Sequence, residues 1–252
     1  MKVIAIYNLK GGVGKTAASV NLSYLASRGG YRMLVWDLDA QGAASFYFRN
    51  QPRPGRDPSY LLDKSKGLGK ALRATDYDGL DLIPADFSYR NLDLELDDYK
   101  KSKLRLRRQL GRLKNKYDIA FLDCAPSMSI VAENIFNMAG VLLVPLIPTQ
   151  LSLRSFDQLL RFRDEQASKG GSVLPFFSMV DRRKRLHRGL IVEFATKHPE
   201  MFHSYIPYAS QIERMGERGA PVNASADASY GGRAFTALWA ALRGRLDLPR
   251  MN

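Results

Sequence analysis

At 252 residues and 45% hydrophobic composition the chain can bury a sizeable core, and one α/β domain over residues 1–252 accounts for it without a second. A single cysteine, Cys124, excludes an internal disulfide framework and a C-x-x-C metal site, and no apolar run approaches the roughly 20 residues that span a bilayer. The formal charge of +13 favours a polyanionic partner, and the expected location is the cytoplasm.

In chain order, "KVIAIYN" (2–8) is a short apolar run that reads as a buried strand rather than as a signal peptide. It leads through a glycine-rich loop into "KTAASVNLSYLASRGG", where Val20, Tyr24 and Leu25 recur at helical spacing and Gly29 and Gly30 supply the stop. "YRMLVWDLD" (31–39) is a second buried strand that ends in acids. The proline- and arginine-rich "RNQPRPGRDPS" (49–59) reads as an exposed loop. The pattern continues with "LDLIPAD" (80–86) as strand, "DYKKSKLRLRRQLGRLKNK" (98–116) as helix and "YDIAFLDCAP" (117–126) as strand. Further strands are expected at "GVLLVPLIP" (140–148), "SVLPFFSMV" (172–180) and "FHSYIPY" (202–208), and a last helix over "GGRAFTALWAALRGRL" (231–246). Continuous apolar strands alternating with helices predict a mostly parallel, twisted sheet covered on both faces, with ligands at the carboxyl ends of its strands.

The loop "KGGVGKT" (10–16) has the composition of a phosphate cradle. Its glycines allow the backbone N–H groups of Gly11, Gly12, Val13 and Gly14 to turn inward on phosphate oxygens. Lys15 reaches the β and γ phosphates, and the Thr16 hydroxyl is placed to hold magnesium. The strand before it and the helix after it are the required context, because the helix N-terminus adds its dipole to the anion site. Asp123 ends a fully apolar strand, where a carboxylate is costly unless it meets a cation, so it is the second candidate magnesium residue. Asp37 and Asp39 end the second strand on one side of it. Asp39, closer to the loop, is the candidate for orienting an attacking water.

One lysine is left over. Lys10 precedes the cradle, and beside Lys15 it repels unless the site becomes more anionic or Lys10 serves a different partner. "KGGVGKT", "DLDAQG" (37–42) and "FLDCAPS" (121–127) together resemble, in order and spacing, the deviant Walker A ATPases of the ParA/MinD family. The resemblance covers nearly the whole chain. It implies a P-loop fold, ATP and magnesium as cofactors, slow hydrolysis stimulated by a cargo adaptor protein, and an ATP-sandwiched homodimer. In such a dimer Lys10 crosses the interface to the partner's nucleotide phosphates. It also implies adenine contacts at Met179 and Pro207. The chain departs from the family pattern at Leu9, Ala17 and Ala40. Ala17 lacks a hydroxyl for the α-phosphate, although its backbone N–H remains.

MinD-like members of the family travel on membranes through a C-terminal amphipathic helix, whereas ParA-like members bind nucleoid DNA without sequence preference. Here Trp239, Leu242 and Leu246 recur at helical spacing, but Asp247, Pro249 and a polar end favour packing on the domain over a membrane. Two basic stretches favour DNA. One is 98–116, with Leu106, Leu110 and Leu113 as the inward stripe and Lys100, Lys101, Lys103, Arg107 and Arg108 outside. The other contains Arg182, Arg183, Lys184, Arg185 and Arg188. An arginine that chromosome-partition relatives use on DNA falls at Gln211, which makes Arg214 and Arg218 the candidates to replace it. The absence of cluster cysteines speaks against an enzyme like the nitrogenase iron protein. The resemblance thus implies a ParA-type ATPase that positions a plasmid, a chromosome region or a protein compartment.

Overall fold

The computed structural model describes residues 1–50, 62, 68–98, 102–166, 171–225 and 229–249. Seven strands form one sheet: β1 (Lys2–Ile6), β2 (Met33–Asp37), β3 (Arg73–Ala74), β4 (Leu80–Ile83), β5 (Ile119–Asp123), β6 (Val141–Leu146) and β7 (Ser172–Phe177). Their order across the sheet is β3-β4-β2-β5-β1-β6-β7, parallel except for the antiparallel edge strand β3. Strands β2, β5 and β6 are buried from end to end, as their unbroken apolar sequences require. One core lies on each face. Trp36, Leu122 and Phe156 belong to one, and Ile6, Phe121 and Phe235 to the other.

The helices among the described residues are α1 (Lys15–Arg28), α2 (Ala43–Tyr47), α3 (Leu92–Asp97), α4 (Arg105–Gly111), α5 (Ile130–Met138), α6 (Gln150–Gln166), α7 (Arg185–Lys197), α8 (Ser210–Glu213), α9 (Met215–Arg218) and α10 (Tyr230–Arg245). Helix α1 ends where Gly29 and Gly30 supply the turn, and Gly30 takes a left-handed φ of 85°.

Two expectations need correction. The basic segment 98–116 does not form one long helix. Its described part is a 3₁₀ turn, Ser102–Leu104, followed by the two-turn α4, which stops at Gly111, a residue that costs a helix about 1 kcal/mol relative to alanine. Leu106 and Leu110 are buried as the stripe requires, and Arg107 and Arg108 are exposed; Lys100 and Lys101 lie outside the described residues, as does most of 49–59. The stretch 202–208 is not a strand either. Phe202 and Pro207 form single parallel bridges to Phe176, near the carboxyl end of β7, and to Val180, three residues beyond it, so the stretch pairs only at isolated points.

Candidate nucleotide-binding site

The phosphate loop is pinned before its first glycine. Asn8 Nδ2 donates to the Pro145 carbonyl oxygen at 2.7 Å, and Asn8 Oδ1 accepts from the Lys10 N–H at 2.9 Å. Gly12 and Gly14 follow with φ of 69° and 90°. At Gly14 a side chain is excluded twice, by the left-handed backbone and by Ser178, whose Oγ lies 2.7 Å from where a Cβ would stand. The chain enters α1 directly at Lys15.

Lys15 is 7% exposed, and its Nζ donates to the Lys10 carbonyl oxygen at 2.9 Å. Burial lowers its pKa, while Asp123, Cys124 and Asp39 pull in the opposite direction. Lys10 is partly exposed on the approach to the loop and, among the described residues, its ammonium forms no ion pair. The two lysines therefore differ: Lys15 is buried with its head on the loop backbone, whereas Lys10 is partly exposed and, among the described residues, makes no ion pair.

The three strand-end acids also separate. Asp37 and Asp123 are opposite each other in the β2–β5 register, and both are buried. Asp37 accepts from the Ser45 N–H at 2.8 Å and the Ser45 hydroxyl at 2.7 Å through Oδ2, and from the Asp39 N–H at 3.3 Å through Oδ1. Burial raises the Asp37 pKa against these hydrogen bonds. With its oxygens so engaged, Asp37 anchors α2, and it does not line the cleft. Asp123 Oδ1 accepts from the Ser19 hydroxyl at 3.0 Å, but Oδ2 is buried with no hydrogen-bond partner. Burial and the repulsion of Asp37 raise its pKa, offset in part by the hydroxyls of Thr16 and Ser19 and the charge of Lys15. An unpartnered carboxylate oxygen next to a hydroxyl is a hard-oxygen donor set that fits magnesium.

Asp39 lies at the rim, half-buried, with Oδ1 accepting from the Gln41 N–H at 3.0 Å. A cleft of about 660 Å³ opens there. Gly11, Gly12, Gly14, Lys15, Thr16, Ala17, Asp39 and Met179 line it, together with Gln41, Ala43, Tyr47, Pro126, Ile212 and Glu213. Val13 and Pro207 are buried, and neither lines the cleft. Met179 holds a φ of 53°, unusual for a residue with a side chain. Tyr47, Ile212 and Glu213 carry no local sequence signal; helices from remote parts of the chain bring them to the cleft.

Ser45 offers a direct test of how the switch side is held. Its hydroxyl donates to Asp37 and accepts from the Ala85 N–H at 2.9 Å. Ser45→Ala leaves the buried Ala85 N–H without its acceptor and removes one of the two hydrogen bonds on Asp37 Oδ2, and urea unfolding is expected to show a loss of about 1–3 kcal/mol. An unchanged midpoint would show that Asp37 does not depend on this hydroxyl.

The basic candidates are all on the surface. Arg182, Arg183, Arg185, Arg214 and Arg218 are exposed, but Arg183 is chelated by Asp181, with Nε–Oδ1 at 3.0 Å and Nη2–Oδ2 at 2.9 Å. Arg49 joins the 214–218 group by donating to the Arg218 and Gly219 carbonyl oxygens. The apolar stripe of α10 is turned inward: Phe235, Leu238, Trp239 and Leu242 are buried, and Trp239 meets Tyr31 edge to face at 5.9 Å. Among the described residues no helix is long and apolar enough to cross a membrane.

A family model described as an AAA domain, AAA_31, matches residues 1–170. The chain belongs to this family of ParA/Soj partition ATPases. The chromosome-partitioning ATPase Soj of Treponema pallidum is 27% identical over 242 residues, covering 94% of this chain and 95% of Soj. Two solved structures share the fold. An ATP complex of a Cyanothece McdA variant has a TM-score of 0.86 at 18% identity, covering 100% of this chain and 98% of its own. Cobyrinic acid a,c-diamide synthase of Mycobacterium smegmatis with ADP and magnesium has a TM-score of 0.80 at 24% identity, with coverage of 100% and 98%.

Proposed function

We propose that this ParA/Soj-family ATPase forms an ATP-sandwiched homodimer, binds nucleoid DNA without sequence preference in that state, and positions a cargo. The cargo is a plasmid, a chromosome region or a protein compartment such as a carboxysome or chemotaxis cluster. The observation that carries the proposal is the division between the two loop lysines. Lys15 is buried with its ammonium on the loop backbone, while Lys10 is partly exposed and makes no ion pair among the described residues. A cation in that position suits the phosphates of a nucleotide held by a second copy.

The chemistry assigns each group a role. The N–H groups from Gly11 to Ala17 and the Lys15 ammonium bind the phosphates. Thr16 and Asp123 would hold magnesium, which neutralises charge on the β and γ phosphates when bound. Asp39 orients the attacking water from the rim. Met179 supplies an apolar wall for adenine. Among the described residues no arginine lines the cleft, so intrinsic turnover is slow and an adaptor protein that completes the site would accelerate it.

The +13 charge supports DNA as the surface on which the dimer travels. The buried stripe of α10 argues against the membrane alternative, because a helix whose apolar face is already packed has little left to insert. Binding to mixed-sequence duplexes is expected to require ATP, to ignore sequence and to weaken with salt at a log–log slope of about −0.9 per phosphate neutralised. Fluorescence anisotropy across a salt series checks this. Indifference to DNA together with ATP-dependent sedimentation on anionic vesicles would instead establish the membrane-surface reading.

A further inference from the structure

Among the described residues, three charged side chains line the cleft, Lys15, Asp39 and Glu213, and the chemistry assigned above uses only the first two. An acid near the phosphates of a bound nucleotide would repel them, so Glu213 suits a different part of the ligand. The sheet order identifies that part. Strands β2 and β5, whose ends carry Asp39 and Asp123, lie on one side of β1 and its phosphate loop, and β7 lies on the other. With the γ-phosphate on the side of the two acids, the nucleoside extends toward the β7 side, where Met179, Ile212 and Glu213 line the cleft.

That end of the cleft is built from fixed pieces. The chain leaving β7 is joined to the stretch before α8 by two backbone bonds: the Val180 N–H donates to the Ile206 carbonyl oxygen and the Tyr208 N–H to the Val180 carbonyl oxygen, each at 3.0 Å. These bonds set Met179 beside the short helix that carries Ile212 and Glu213. Ile212 has no room to retreat, because a Cβ at Gly231 would stand 2.9 Å from its Cγ1. On the α1 side, Asn21 Nδ2 donates to the Ala17 carbonyl oxygen at 2.7 Å while its Oδ1 accepts from the Val222 N–H at 2.8 Å, which ties the Ala17 wall to the segment after α9. Glu213 itself is exposed, and among the described residues no cation pairs with it. The Tyr208 phenol is held above its ordinary pKa first by a hydrogen bond to this carboxylate and then by its charge, and two carboxylate oxygens leave capacity for a second donor.

We infer that Glu213 is a specificity-determining residue that accepts a hydrogen bond from the 6-amino group of adenine, so that the site takes ATP in preference to nucleotides with hydrogen or oxygen at that ring position. The inference rests on the nucleotide placement proposed above and adds a polar reader for a base that there meets only the apolar Met179. Apolar walls hold the faces of a ring, and one placed polar group fixes its orientation. An ionised carboxylate only accepts. The adenine amino group offers it a donor, hydrogen offers none, and a ring carbonyl sets two acceptors against each other. Ribose hydroxyls are the other donors of a nucleotide, but the exposed position of Glu213 favours the base edge, which is farther from the buried loop than the ribose is.

The test is isothermal titration of the full chain in magnesium with ATP, purine riboside triphosphate, which has hydrogen in place of the amino group, inosine triphosphate, which has oxygen there, and 2′-deoxy-ATP. The wild type is expected to bind ATP at least about tenfold more tightly than either base analogue. Glu213→Ala is expected to lose that ratio by weakening ATP about tenfold while holding purine riboside triphosphate within about twofold, which also shows that the variant is folded and its site intact. Glu213→Gln, which keeps an acceptor oxygen without the charge, should restore part of the ratio. A wild type that binds ATP and the base analogues equally, or a Glu213→Ala variant with the wild-type ratio, overturns the inference and leaves the nucleotide placement standing. A Glu213→Ala variant that keeps its base preference and loses discrimination against 2′-deoxy-ATP puts the acid on the ribose and overturns it as well. A wild type that binds none of these nucleotides overturns the placement itself.

Discussion

Lys15→Ala is expected to weaken ATP binding by at least about 100-fold, measured by isothermal titration. The side chain is buried against the loop, and its Nζ already donates to a backbone oxygen of the cradle, so the ammonium needs little reorganisation to meet phosphate. Each charge-assisted hydrogen bond to a phosphate oxygen is worth about 1.5–3 kcal/mol, and losing one bond to each of two phosphates accounts for the factor. Burial lowers the Lys15 pKa, and the nearby Asp123, Cys124 and Asp39 oppose that shift. ATP affinity within a few-fold of wild type in this variant would refute the role.

Asp39→Ala is expected to slow single-turnover hydrolysis by about 100-fold or more while leaving ATP affinity within a few-fold, which yields a long-lived ATP dimer on DNA. The contrast with Asp37 is the reason. Asp37 is buried and held by Ser45, whereas Asp39 faces the cleft with one oxygen on the Gln41 N–H and, among the described residues, no hydrogen bond on Oδ2. That free oxygen can take a proton or orient a water. Because alanine also removes the bond to Gln41, Asp39→Asn is the matched control: it keeps an acceptor for the turn and loses the charge. Slow turnover in both variants supports the assignment, and wild-type turnover in either contradicts it.

What could be read from the sequence follows from how local each signal is. The phosphate loop lies within a single short stretch, and β1, β2, β5, β6 and β7 are apolar runs whose burial needs no knowledge of their neighbours. Asp37 and Asp39 share a strand end and a side, and the sequence favours Asp39 as the cleft acid only by its place nearer the loop. Only Ser45, eight residues on, separates the structural acid from the cleft acid. Ile212 and Glu213 enter the cleft from α8, which no sequence periodicity connects to the loop. The basic segment around α4 misled in the opposite way. A long charged stretch with leucines at helical spacing resembles one continuous helix, yet Gly111 ends it early, and burial of Arg105 and Gln109 puts polar residues inward. Met179, read as an adenine contact, lines the cleft, while Pro207 from the same resemblance is buried and does not line it.

The central claim is that Lys10 acts on a second copy's nucleotide while Lys15 acts on its own. The measurement that tests it most directly is light scattering of the wild type and Lys10→Ala with ATP and magnesium, run beside isothermal titration of ATP. The account predicts that the wild type becomes a dimer in ATP, and that Lys10→Ala binds ATP within a few-fold of wild type but remains monomeric. A Lys10→Ala protein that dimerises as readily as the wild type, or a wild type that stays monomeric in saturating ATP, would contradict it.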